Sequence, residues 1–210
     1  MLDADEVTST ELLECEATPT IRALHASPDA PPVNIIVNGT EALEGVDFGQ
    51  GSGFVRVLQE NTVEVEAILP GDDAVVITAP VNLDFNSEAT VIAIGKAEDN
   101  SIAPLAIVNS SDNPITDGSF RAQVVHAAPD APAVDVYVTA LDAELAGSAP
   151  VNGAGTPLAF GENTPQLEVT AGDYQIRITA GGDPGYKNHL GPSRNGGRID
   201  IPSVAAPVYP

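Results

Sequence analysis

The chain has little cysteine and few aromatic residues, and each shortage excludes something. Its 210 residues contain one cysteine, no tryptophan and only 4% aromatic residues. A single cysteine, Cys15, excludes an intramolecular disulfide, so stability must come from packing, and we interpret Cys15 as an incidental thiol. Scarce aromatic side chains argue against a platform that stacks sugars or bases.

Basic residues are also scarce. Eight Lys and Arg oppose 30 Asp and Glu, which gives a formal charge of −22. Nucleic acids and anionic membranes are bound through Lys and Arg that release counterions, so neither is an expected partner. Because the acidic residues are spread along the chain, they predict a solvated surface, as adaptation to a saline habitat would also produce.

Long apolar runs are missing as well. No stretch approaches the roughly 20 apolar residues of a membrane helix, so no membrane insertion is expected. Residues 1–6, MLDADE, lack the basic and apolar regions of a signal peptide. We expect a secreted or cell-surface location, and in that case this chain is a mature fragment.

What the sequence does contain is an internal duplication. Residues 25–37 read HASPDAPPVNIIV, and residues 126–138 read HAAPDAPAVDVYV. The repeat unit of about 90 to 100 residues is longer than a solenoid repeat and long enough to bury its own core. The duplication therefore predicts two tandem domains.

Short strands follow one another in the first repeat. Residues 33–37 form a β-branched run that ends in Asn38 and Gly39, a strong hairpin signal because both residues tolerate positive φ. Residues 63–68 alternate between an apolar and an acidic face. The predicted strands are 21–25, 33–37, 41–44, 54–58, 63–68, 74–81, 90–95 and 105–108. This series predicts an all-β fold, an antiparallel, immunoglobulin-like β-sandwich.

The second repeat begins like the first and then departs from it. Strands are predicted at 124–126, 134–138, 167–169 and 174–178, the last matched to 63–67, and the loop at 142–156 is longer. After Gly181 only the short segment 198–201 alternates, a change that a frameshifted, truncated or divergent tail would produce. We expect an incomplete second sandwich with an exposed sheet edge. Either this edge pairs with 198–201 or with another chain, or the tail stays disordered and the domain is partly molten.

These observations predict four segments along the chain. They are a flexible acidic leader at 1–19, a β-sandwich repeat at 20–109, a linker at 110–119 and a second repeat at 120–210, whose tail diverges from about residue 182.

The duplicated motif pairs His25 with Asp29 and His126 with Asp130. Its prolines fix φ and its aspartate can accept backbone N–H groups, which predicts a rigid crossover between strands. Imidazole beside carboxylate is also a pair that binds metals or transfers protons. One His and one Asp per copy are too few ligands for zinc. We predict structural histidines and assign no catalytic, cofactor-binding or metal-binding residue.

Two other chemistries are weakly indicated. Asp72, Asp73, Asp112 and Asp117 have the oxygen ligands that calcium prefers, but their spacing matches no EF-hand loop, so we expect them to be solvated. No Gly-x-Ser-x-Gly elbow occurs and the cysteine lies in the leader, which disfavours a nucleophilic hydrolase.

The His-Ala-x-Pro-Asp-Ala-Pro motif, with its Asn-Gly turn and the Phe-Gly steps at 48–49 and 160–161, resembles the bacterial and archaeal family called domain of unknown function 4397. The resemblance covers about residues 20–108 and 120–181. It implies secreted or surface-attached β-sandwich modules, often in tandem, with no established activity, so no catalytic residue is carried over. The second repeat departs from the family because it lacks the closing strands.

The sequence thus favours a non-enzymatic, extracytoplasmic structural, adhesive or spacer module of a bacterial cell envelope or secreted matrix. The alternatives are a module that binds calcium or an anion-poor glycan, and an uncharacterised hydrolase. An unknown protein or glycan is the expected partner, with self-association through the second repeat as a further expectation. No cofactor is expected.

Overall fold

The computed structural model describes residues 18–181 except 72, 111, 113 and 146, and this part of the chain is all β. It holds no helix long and apolar enough to cross a membrane. The strands are β1 (Thr20–His25), β2 (Val33–Val37), β3 (Thr40–Val46), β4 (Val55–Arg56), β5 (Glu60–Ala67), β6 (Ala74–Asn82), β7 (Ser87–Ile94), β8 (Ala103–Ser110), β9 (Ser119–Ala122), β10 (Val134–Ala140), β11 (Leu167–Thr170) and β12 (Tyr174–Ala180).

The first repeat is a sandwich of two four-stranded sheets. One sheet has the order β4-β1-β7-β8 and the other the order β3-β2-β5-β6. Ile21 and Val91 of the first sheet and Ile35 and Val65 of the second belong to one buried apolar core. The all-β class is therefore confirmed, and every strand predicted for this repeat has a counterpart.

Local signals explain these strands. In β5 the apolar residues are buried while the alternate positions face outward, as the period of two requires. Asn38 and Gly39 turn β2 into β3 with φ of 52° and 72°, the left-handed values expected for a tight hairpin.

One strand pair departs from the antiparallel prediction. β1 runs parallel to β7, with Thr20 opposite Glu88 and His25 opposite Ala93. Parallel neighbours need a long crossover connection, and here the chain between them builds the whole facing sheet together with β4. Local sequence carries no signal for such a pairing.

The second repeat is described as two strand pairs, β9 with β11 and β10 with β12. The segment predicted as a strand at 124–126 is not one, since β9 ends at Ala122 and Val125 makes a single bridge to Asn163. The predicted alignment of residues 174–178 with 63–67 is wrong by two residues. Val37 pairs with Val63 in the first repeat, and the equivalent Val138 pairs with Ile176.

The longer loop of the second repeat lies along β10. The backbone N–H of Val136 donates to Oδ1 of Asn152, 2.8 Å away, and its carbonyl accepts from the N–H of Val151, 2.7 Å away. The predicted tail, including 198–201, and the leader up to residue 17 lie outside the described residues.

The two repeats pack on each other. In β7, Val91 and Ala93 face the sandwich core, while Ile92 and Ile94 belong to a second buried cluster. Val125 and Ala127 of the second repeat pack against that cluster. Both faces of this end of β7 are therefore buried, one by each repeat.

Candidate functional site in the repeated histidine loops

The duplicated motif forms two similar loops, here called the histidine loops, at residues 25–32 and 126–133. The first leaves β1 at His25 and enters β2 at Val33. The second follows the bridge at Val125 and enters β10 at Val134. The first loop therefore connects the two sheets of its sandwich, and the second leads from the Val125 bridge into the β10–β12 pair.

Both ring nitrogens of each histidine bond to the backbone of their own loop. Nε2 of His25 lies 3.1 Å from the carbonyl oxygen of Pro31, and Nδ1 lies 3.3 Å from the N–H of Ser27. In the second loop, Nε2 of His126 lies 3.0 Å from the Pro132 carbonyl oxygen and Nδ1 lies 3.4 Å from the Ala128 N–H.

This arrangement assigns the tautomer. A carbonyl oxygen only accepts, so Nε2 must carry a proton, and a backbone N–H only donates, so Nδ1 must be unprotonated. Each imidazole is therefore neutral with its proton on Nε2. His25 is 1% and His126 is 6% exposed, so the bonded rings are shielded from solvent.

The Phe-Gly steps pack beside the rings. Phe48 meets His25 edge to face at 6.5 Å between ring centres, and Phe160 meets His126 in the same way at 6.4 Å. The N–H of the following glycine, Gly49 or Gly161, donates to the histidine carbonyl at 2.8 Å in both repeats. The phenylalanine, the glycine and the histidine therefore form one packed unit in each copy.

Asp29 bonds to a turn of its own repeat. Its carboxylate accepts the N–H of Ala97 at 2.8 Å and that of Glu98 at 2.9 Å, in the turn between β7 and β8. The bonds from Glu98 and Ala97 lower the pKa of Asp29, since they favour its charged form. The first histidine loop is thereby tied to the β7–β8 turn.

The equivalent Asp130 bonds across the repeats. Its Oδ2 lies 2.6 Å from Nζ of Lys96 in the β7–β8 turn, and Glu98 lies 3.3 Å from the same Nζ. The hydrogen bond to Asp130, with a smaller contribution from Glu98, raises the pKa of Lys96. The same turn therefore receives the aspartates of both histidine loops.

The histidine and the aspartate of each candidate pair bond to other groups and not to each other. The rings bond to their own loops, Asp29 bonds to the backbone at 97 and 98, and Asp130 bonds to Lys96. The geometry offers a neutral hydrogen-bonding imidazole rather than an imidazole oriented by a carboxylate.

The suggested calcium ligands lie apart. Asp73 accepts the N–H of Leu69 at 3.3 Å, Asp112 and Asp117 are exposed near the start of the second repeat, and Asp72 and Cys15 lie outside the described residues. Within the described part of the chain, no three His, Cys, Asp or Glu side chains converge on a place for a metal ion.

The sequence motifs do not single out Lys96 or the residues between the repeats. Lys96 stands just after a strand and has no motif around it, and its importance comes from contacts with Asp130 and Glu98. The available signal in the sequence is that Lys96 is a basic residue in a strongly acidic chain, where it can attract carboxylates.

The fold and the paired loops define the class: an all-β protein with two histidine loops locked by backbone hydrogen bonds. Residues 19–137, more than half of the chain, match the family described as Domain of unknown function (DUF4397), and the chain belongs to that family. The match covers the first repeat and continues through the second histidine loop into β10. No curated protein matches the chain.

Proposed function

We propose that this protein is a non-enzymatic structural module, a rigid spacer or adhesive part of a bacterial cell envelope or secreted matrix. The single observation that carries the proposal is the bonding of His25 and His126. Both nitrogens of each ring are used by the loop backbone, so the residues best suited to acid–base chemistry hold the fold instead.

The packing of the repeats supports a rigid unit. The cluster around Ile92 and Ile94 receives Val125 and Ala127 of the second repeat, and the Lys96–Asp130 ion pair lies beside it. Apolar burial supplies most of the attraction, because a partly exposed ion pair contributes about 1 kcal/mol or less. A spacer needs such a junction to keep a fixed separation between its ends.

Distance measurements between spin labels test the rigidity. Cysteines replace the exposed Thr78 on β6 and Thr170 on β11, with Cys15→Ser in the background. We expect one narrow distance distribution, and a broader one when Val125→Asp places a charge in the apolar junction. A broad distribution in the protein without Val125→Asp would overturn the rigid spacer.

Three further measurements test the remaining parts of the proposal. Antibody labelling of intact source cells should detect the protein at the surface or in the medium. A serine-hydrolase probe should leave it unlabelled.

About 5 mM calcium, which would saturate a typical weak extracellular site, should raise the melting temperature no more than magnesium does. A calcium-specific rise would favour the calcium-binding alternative.

A further inference from the structure

A polar cleft of about 600 Å³ lies between the repeats, on residues separate from the histidine loops. The first repeat contributes Arg22 from β1, Thr90 from β7 and Asn109 from β8. The second contributes Arg121 from β9 and the nearby Gln123. The volume lies within the roughly 300–1,000 Å³ typical of small-ligand sites. The cleft exists only because the repeats are packed together.

The guanidinium of Arg22 is held in place from two sides. Its Nε donates to Oγ1 of Thr90 at 2.9 Å, and its Cζ lies 4.7 Å from the centre of the Phe54 ring. A planar guanidinium fixed in this way loses little conformational freedom when it binds a carboxylate in a two-point arrangement.

The cleft concentrates positive charge in an acidic protein. The described residues include five Lys and Arg, and two of them, Arg22 and Arg121, line this cleft. Arg121 stands directly opposite Glu168 in the β9–β11 strand pair, and Glu88 lies in the lining. The lining therefore combines two guanidinium groups with the carboxylate of Glu88, which opposes an anion, while a second carboxylate, Glu168, stands opposite Arg121 outside the lining.

Side-chain amides supply neutral hydrogen-bonding groups beside the arginines. Nδ2 of Asn109 donates to Oε1 of Gln123 at 3.0 Å, and Nε2 of Gln123 donates to the carbonyl of Thr164 at 2.8 Å. Gln166 adds a third amide to the lining. Amides both donate and accept, which suits the hydroxyl groups of a sugar.

We propose that this cleft binds an acidic sugar, a pyranose ring that carries a carboxylate. Arg22 and Arg121 bind the carboxylate, and the amides of Asn109, Gln123 and Gln166 bind the ring hydroxyls. The net charge of the whole chain favours an anion-poor glycan, but the two arginines of the cleft favour a glycan that carries a carboxylate. The spacer role stands whether or not the cleft is occupied.

Calorimetric titration of the full chain at low ionic strength, in a phosphate-free buffer, tests the proposal. Methyl glucuronide and methyl galacturonide are compared with methyl glucoside, acetate and inorganic phosphate. We expect a uronide to bind at least about tenfold more tightly than the neutral sugar, because the neutral sugar has no carboxylate to form a charge-assisted hydrogen bond with the arginines. Absence of uronide binding, or phosphate or acetate binding as tight as the uronide, would overturn the acidic-sugar site.

Charge variants place the binding in the cleft. Arg22→Gln should weaken uronide binding about tenfold, whereas Glu88→Gln should tighten it about two- to fivefold because a like charge is removed. Arg56→Gln is the control, because it changes the net charge by the same amount at an exposed position outside the lining. It should change the affinity for the uronide less than about twofold. If Arg22→Gln fails to fold, Gln166→Ala is tested in its place and should also weaken uronide binding. Unchanged affinity in the folded variant would refute the assignment.

Discussion

The two loop histidines hold their loops with the same pair of hydrogen bonds, although the loops differ in sequence. Ser27 of the first loop is Ala128 in the second, and the hydroxyl of Ser27 is buried without a hydrogen-bond partner. The backbone N–H at this position, rather than the side chain, serves the histidine. Both loops therefore share the bonded imidazole, whereas only the first carries the hydroxyl.

We predict that His25→Asn destabilises the protein by about 2–4 kcal/mol. The shorter side chain cannot reach both Ser27 and Pro31, so buried backbone groups lose their partners. Ser27→Ala in the same loop is the control and should be neutral or stabilising by up to about 1 kcal/mol. Urea unfolding measures both. Metal content should not change in either variant, and bound zinc or copper that disappears with His25→Asn would contradict a structural histidine.

Asp29 should make stability depend on acid pH. Its pKa is lowered in the folded protein by the N–H groups of Glu98 and Ala97, so its stabilisation is full above the unfolded value of 3.8 and is lost as pH falls through the lower folded value. We predict that Asp29→Asn lowers the melting temperature at pH 7 and that the difference shrinks below about pH 3.8. Melting curves between about pH 2 and 7 decide this, and a difference that stays constant would contradict it.

The β7–β8 turn depends on one glycine. Gly95 has a φ of 92°, and a Cβ at this position would collide with the carbonyl of Ser101. The rest of the turn is fixed by polar bonds: the N–H of Lys96 donates to Oγ of Ser101 at 3.0 Å, and Asn100 adopts a φ of 57°. The turn that receives Asp29 and Asp130 is therefore built around a residue without a side chain.

We predict that Gly95→Ala destabilises the protein by more than about 2 kcal/mol, because strain in φ adds to the steric conflict. Gly53→Ala is the matched control, since a Cβ there meets nothing within 4 Å. Equilibrium unfolding should show a change within about 0.5 kcal/mol for the control. Equal effects of the two substitutions would argue against a special role for the turn.

The two repeats differ in how well their sheets are covered. Val65 of β5 is 2% exposed, whereas Ile178, at the matching position of β12, is 63% exposed. Among the described residues of the second repeat, no strand pair matches β7 and β8. Within the part of the chain that the structure describes, the apolar face and sheet edge of the second repeat are consequently less protected than those of the first.

Hydrogen exchange should reflect this difference. We predict strong protection of backbone amides in residues 20–108 and faster exchange in 120–181 in the isolated monomer. Sedimentation should also reveal self-association if the open edge pairs with another copy. Equal and cooperative protection of both repeats in a monomer would show that the second repeat is complete.

The charge of the whole molecule sets its response to salt. With a net charge of −22, the folded chain repels itself, and screening should relieve that repulsion. We predict a rising melting temperature between about 0.05 and 1 M NaCl, over which the Debye length falls from more than about 10 Å to about 3 Å. A flat or falling melting temperature would contradict it.

Local patterns determined much of this protein. The duplication placed the two histidine loops, alternation located β5, and the Asn38-Gly39 turn located the first hairpin, because each signal depends on residues close in sequence. The use of His25 as a structural residue followed from the small number of nearby ligands and remains a prediction, for which its two backbone bonds now supply a geometry.

Only the tertiary structure decided which distant residues meet. The parallel pairing of β1 with β7, the ion pair between Lys96 and Asp130, and the stacking of Arg22 on Phe54 join residues far apart in the chain. Such contacts depend on how the sheets and repeats pack, which no local period encodes. Local sequence therefore determined the strands of the first repeat and the two histidine loops, whereas the strand at 119–122, the register of β12, the junction and its polar cleft were decided by packing.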